Sequence, residues 1–190
     1  MSDDATDPRS LDADLRRLLS DERSTAEVKA RARERALRQQ ATEDATLVGL
    51  LVDLSEQGHA VTVRMTTGRS LQGRVATVGP DFIELHTPGG AALVALGALA
   101  SIRRRPGRWR PDSAGDRAAR SRLSLSGHLR TLAADRPRVG VVVLGEPHVL
   151  NGELWAVGRD VLTLALDGEP VVTAYLSLSS LAELSLLASG

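Results

Sequence analysis

Cysteine is absent from this sequence of 190 residues, which excludes a disulfide framework, Cys-ligated zinc and thiol chemistry. Aromatic side chains are nearly absent too: two Trp, one Tyr and one Phe. No apolar run approaches the roughly 18 to 20 residues that cross a bilayer; Val139 to Leu144 is among the longest. The amino end, Met1-Ser-Asp-Asp, is acidic and lacks the apolar stretch of a secretory leader. These absences predict a cytoplasmic chain with no membrane partner. Net charge is missing as well, because 24 basic and 24 acidic side chains cancel. An apolar content of 42% against 25% charged residues is that of a folded chain. The length suits one domain or two small ones.

The cancelled charge is unevenly spread. Residues 1–22 carry a net −4, residues 23–45 a net +2, residues 46–100 a net −1 and residues 123–190 a net −3. Ser101 to Arg122, with eight Arg and two Asp, carries a net +6. Nearly all positive charge is arginine, since Lys29 is the one lysine.

An internal repeat organises the chain. Leu71, Gly73, Val78, Gly79, Asp81 and Leu85 recur 79 residues later as Leu150, Gly152, Val157, Gly158, Asp160 and Leu164. Upstream, Leu47, Gly49, Leu51 and Leu54 recur at an offset of 78 as Leu125, Gly127, Leu129 and Leu132. Downstream, Leu96, Leu99 and Ala100 recur at an offset of 82 as Leu178, Leu181 and Ala182. Four leucines at i, i+3, i+4, i+7 spacing from Leu47 predict a helix, which Gly58 stops. Val61, Val63 and Met65 alternate with polar residues as a half-buried strand does. Leu71 to Val78, Phe82 to Thr87, Ala92 to Leu96 and Leu99 to Arg103 follow as four more strands. Pro88-Gly-Gly90 and Asp167-Gly168 are hairpin signals. Gly73 and Gly152, mid-strand, mark a bulge or sharp bend. Gly79, Asp81, Gly158 and Asp160 belong to turns, with the two Asp expected to close them through side-chain to backbone hydrogen bonds.

The order Val-x-Val, Gly, a mid-strand Gly, then Val-Gly-x-Asp-Phe-Ile-x-Leu resembles the first signature of the Sm-like family of Sm, LSm and Hfq-type proteins. The resemblance implies an α+β chain: N-terminal helices followed by two tandem, small, bent five-stranded barrels, each preceded by a helix. With the repeat, capping and charge patterns it divides the chain into a helical segment over 1–44, a first repeat over 45–104, a flexible Arg-rich linker over 105–122 and a second repeat over 123–190. Family members assemble into rings through edge strands, and many bind RNA at the pore. The family's base-holding Asn is replaced here by Glu84 and Thr163, and its second basic signature by Ala95-Leu-Gly-Ala98 and Ser177-Leu-Ser-Ser180. The base pocket therefore does not carry over.

Outside the repeat, Ser10 to Leu19 reads as a short helix, and Ser24-x-x-Glu27 as a capping box that opens a second. With no Pro or Gly from Thr25 to Leu47, that second helix is free to run on into the first repeat helix, about 50 Å from residue 25 to 57. Arg103, Arg104, Arg105, Arg108 and Arg110 flank Trp109 in a stretch that cannot form a core. Arginine forks pair with phosphate and Trp109 offers a stacking face, so these six are the candidate contacts for single-stranded RNA or DNA. The competing reading of the stretch is a solvated tether.

Nucleotide-loop, zinc-protease and serine-hydrolase motifs are missing. His59, His86, His128 and His148 are scattered and read as surface or structural residues, and Trp155 as packing. The expectation is no enzyme, no metal, no cofactor and no small-molecule substrate. Two readings follow: a nucleic-acid-associated regulator or scaffold contacting through the Arg/Trp linker, or an assembly module that associates with itself or a protein partner without nucleic acid.

Overall fold

The computed structural model describes residues 28–104 and 117–187, and the chain divides into a unit Met1–Asp44 and a unit Ala45–Gly190. The described part of the first unit is a helix, α1, over residues 28–43, with exposed side chains almost throughout. Local pairs support it: Arg38 to Glu34 at 2.5 Å and Gln39 Nε2 to Glu43 Oε1 at 3.0 Å. Such i,i+4 pairs contribute about 0.2–0.5 kcal/mol each. The expected helix over Ser10 to Leu19 and the Ser24 capping box lie outside the described residues.

α1 does not run on into the repeat helix. Residues 45 and 46 leave the helical path, and Thr46 adopts φ −108°, ψ 155° while its hydroxyl accepts from the Gly49 backbone N–H at 3.0 Å. That cap satisfies an N–H which a helix start leaves open, so the chain restarts as α2, Leu47–Gln57. Gly49 stands where a capping box has Glu, so Thr46 carries no capping-box signal in the sequence. Leu51, Val52 and Leu54 of α2 are buried, and Gly58, at φ 63°, closes the helix.

Five strands follow: β1 Ala60–Met65, β2 Ser70–Val78, β3 Phe82–Thr87, β4 Gly90–Ala95 and β5 Leu99–Arg104. The second repeat supplies α3 Leu125–Ala133, then β6 Arg138–Val143, β7 Leu150–Val157, β8 Val161–Leu166, β9 Val172–Ser177 and β10 Leu181–Leu186. Short 3-10 turns, Leu96–Ala98 and Leu178–Ser180, precede the last strand of each set. α2 packs on β2, and α3 on β7.

The two separate barrels are not formed. All ten strands belong to one antiparallel sheet in the order β5-β1-β2-β3-β4-β10-β6-β7-β8-β9. The reason lies in the strand edges. A five-stranded set leaves unpaired N–H and C=O groups along its outer strands, and β4 satisfies one such row by pairing with β10 of the other repeat. The internal order of the first set, last strand beside first, recurs in the second.

Two large apolar clusters fill the repeats, and a third, small one gathers Ala98, Val142 and Ala182. One gathers Leu51, Leu54, Val63, Met65, Ile83 and Leu85. The other gathers Leu129, Val141, Leu154 and Leu162 of the second repeat with Phe82 and Leu93 of the first. The second core therefore borrows from the first repeat. Among the described residues no helix is long and apolar enough to cross a membrane.

Candidate functional site

The seam between β4 and β10 is the most specific arrangement in the molecule. Leu93 faces Leu184, flanked by the pairs Val94–Glu183 and Ala92–Ser185. Leu93 is 4% exposed and Leu184 fully buried. Glu183, only 2% exposed, meets Arg69 Nε at 3.3 Å from the β1–β2 turn and accepts from Ser185 Oγ at 2.9 Å. A buried carboxylate requires such partners, so this ion pair fixes the register of one repeat on the other.

Asp81 adds a second fixing point. The local turn is closed by the Gly79 N–H donating to Phe82 O, while the Asp81 backbone oxygen accepts from the Leu96 N–H just past the end of β4. Its side chain does something else: Oδ1 accepts from the backbone N–H of Leu125, at 2.7 Å, at the start of α3. A carboxylate there complements the helix dipole and satisfies an orphan donor. Beside it Phe82, fully buried, lies 5.3 Å from the His128 ring. Asp81 thus ties the first repeat to the helix of the second, a longer reach than the local turn expected of it.

The paired strands and Asp81 have open counterparts. β5 and β9 are the two ends of the sheet, and among the described residues neither has a strand on its outer side. Repeat offsets map β10 onto β5 and β4 onto β9. Tyr175, in the place of buried Leu93, is 73% exposed, and Val171 and Val172 are 68% and 54% exposed. Asp160 is exposed and its carboxylate has no partner among the described residues.

The glycines have close neighbours. A Cβ on Gly73 or Gly152 would collide with the backbone carbonyl of His86 or Ala165 on the paired strand, and one on Gly79 or Gly158 with the side chain of Phe82 or Val161. The bulge falls two to four residues later, where the ladder shifts between Val75 and Thr77 and between Leu154 and Ala156. Trp155 occupies that shift in the second repeat. It is not core: it stays 50% exposed, with the Arg136 guanidinium 3.9 Å above its ring.

Arg103 and Arg104 are exposed at the end of β5. Arg105, Arg108, Trp109 and Arg110 lie outside the described residues. The end of the segment behaves differently. Arg117 pairs with Asp53 and, at 2.6 Å, with Glu56 on α2; Arg120 also meets Glu56 at 2.6 Å. These hydrogen bonds hold the Glu56 carboxyl down at about 2 and push the Arg117 guanidinium up. The Ser121 N–H donates to Val78 O at 3.0 Å. Among the described residues no three His, Asp or Glu side chains converge as metal ligands. His59 and His148 are exposed, and His86 Nε2 lies 3.6 Å from Glu84.

Sequence reasoning missed Arg69 and Glu183. The usable signal was a lone acid inside the apolar run Leu181-Ala-Glu-Leu184, where Ser101 stands in the first repeat. Comparisons with family models, with curated proteins and with solved structures give no match for this chain.

Proposed function

We propose that the protein is a non-enzymatic assembly module that associates with further copies of itself through the two ends of its sheet. The observation that carries this is the seam: two homologous repeats joined strand to strand, β4 to β10, with the matching strands β9 and β5 left open at the ends. A contact between unlike surfaces propagates head to tail, giving a ring when the rotation closes and a filament when it does not. Kinship with the Sm-like family is a proposal resting on the signature residues quoted above. A cysteine-free chain needs no oxidising compartment, and the cytoplasm is the proposed location.

The test is sedimentation of the nuclease-treated full chain over a wide concentration range. Concentration-dependent multiples of the monomer mass are expected. A chain that stays monomeric at every concentration, with β9 intact, overturns the reading.

A second reading keeps one observation in its favour: Arg103 is exposed on an open strand that leads straight into the arginine run. On that reading single-stranded RNA or DNA binds the run with a steep salt dependence. Changing Arg105, Arg108 and Arg110, which follow β5, to Gln abolishes binding if it is right and leaves sedimentation unchanged if assembly alone operates.

A further inference from the structure

The in-chain seam specifies more than the existence of an assembly: its register transfers residue by residue to the joint between copies. This step rests on the assembly reading above. At the offset of 82, Ala92, Leu93 and Val94 correspond to Ala174, Tyr175 and Leu176 on β9. Glu183, Leu184 and Ser185 correspond to Ser101, Ile102 and Arg103 on β5. Pairing within each repeat supports the same match, since Phe82 faces Ala95 on β4 as Val161 faces Ser177 on β9.

We propose that β9 of one copy adds to β5 of the next with Tyr175 opposite Ile102, Leu176 opposite Ser101 and Ala174 opposite Arg103. In the same joint the Asp160 carboxylate of the first copy accepts the Leu47 backbone N–H at the start of the second copy's α2. The occupant is a second copy because the paired strands and the helix-start acceptor of the in-chain contact have their matches at the free ends. Leu47 matches Leu125, begins a helix and is 42% exposed. Asp160 matches Asp81, whose carboxylate already makes this bond in the chain at 2.7 Å. Val161, half-buried, matches Phe82 and meets Leu50, the match of His128, so an aliphatic pair replaces a ring pair.

One contact is not repeated. Arg69 and Glu183, the ion pair of the seam, correspond to His148 and Ser101. The joint between copies therefore lacks the buried ion pair, and its register rests on Tyr175, Ile102 and Asp160. An exposed edge bearing Val172 and Tyr175 is a ready template for strand addition.

The absence of cysteine makes the register directly measurable. Two double variants place thiols in register: Ile102→Cys with Tyr175→Cys, and Ser101→Cys with Leu176→Cys. Neighbouring antiparallel pairs alternate between wide and close spacing, so at least one of the two brings its sulfurs within disulfide reach. A third variant, Ile102→Cys with Leu176→Cys, is out of register and points its thiols to opposite faces. Mild oxidation of the full chain is expected to give a ladder of covalent multimers from an in-register pair and none from the shifted pair. Asp160→Ala is expected to weaken association about fivefold, as loss of one helix-start acceptor does. Cross-linking by the shifted pair, or a chain that associates while neither in-register pair cross-links, overturns this register and leaves assembly standing. A wild-type chain that never associates removes both.

Discussion

A methyl group placed on Gly152 would meet the backbone carbonyl oxygen and carbon of Ala165, the residue before its pairing partner Leu166. Backbone cannot step aside as a flexible side chain can, so the two strands must part. Gly152→Ala is expected to cost about 1–3 kcal/mol, seen as a lower denaturant midpoint at unchanged slope. An unchanged midpoint would show that β7 and β8 separate freely. The repeated Gly73 and Gly152 were legible as special positions, because a strand interior otherwise disfavours glycine. Their reason was not: close approach of two strands depends on the partner's path, which no local pattern contains. Trp155 was misread for a related cause. A large apolar side chain in a strand reads as core, but the ladder shift at Leu154–Ala156 leaves it outward, stacked under Arg136. Such an exposed cation–π contact contributes about 0.5–1 kcal/mol.

Among the elements, the strands and the repeat helices were largely legible from periodicity, whereas their joints were not. The edges of β4 and β10 differ from those of β9 and β5 at single positions, Leu93 against Tyr175 and Glu183 against Ser101, and no local pattern says which repeat lies beside each. The break between α1 and α2 was hidden by a helix-compatible stretch through Thr25 to Leu47, and the Thr46 cap ends it. The arginines followed the same rule. Their density marked the linker, but the partners of Arg117 and Arg120 are Asp53 and Glu56 on the polar face of α2, more than sixty positions away. This clamp has a pH signature. The carboxyl of Glu56 is lowered from 4.5 to about 2, chiefly by its hydrogen bonds to Arg117 and Arg120. A carboxylate with a lowered folded pKa contributes stability above its unfolded pKa, and that contribution is lost as pH falls through the folded value. Nuclear magnetic resonance titration of the Glu56 side chain is expected to give a midpoint near 2, moving back toward the ordinary carboxylate range in Arg117→Gln. A midpoint unmoved by Arg117→Gln would show that the clamp does not form in solution.

For the whole molecule, tethering and charge together set how the two kinds of joint behave. The β4–β10 seam forms within one chain, where a short tether supplies an effective concentration of about millimolar. The proposed β9–β5 joint would have no tether and no counterpart of the Arg69–Glu183 pair, so it is expected to require high protein concentration and to draw little on charge attraction. Overall charge then decides whether copies approach at all. The formal net charge is zero at pH 7, and at zero net charge no long-range repulsion opposes association. Acidification protonates carboxylates and histidines, leaving each copy positive and mutually repelling. Association measured by sedimentation at low ionic strength is therefore expected to be strongest near neutrality and to fall in mild acid. Added salt restores it, because the Debye length shortens to about 8–10 Å. Near neutrality the same salt is expected to leave association unchanged. A joint built on the arginine run would behave oppositely, weakening with salt at every pH, and that outcome would move the contact from the β9–β5 edges to the basic segment.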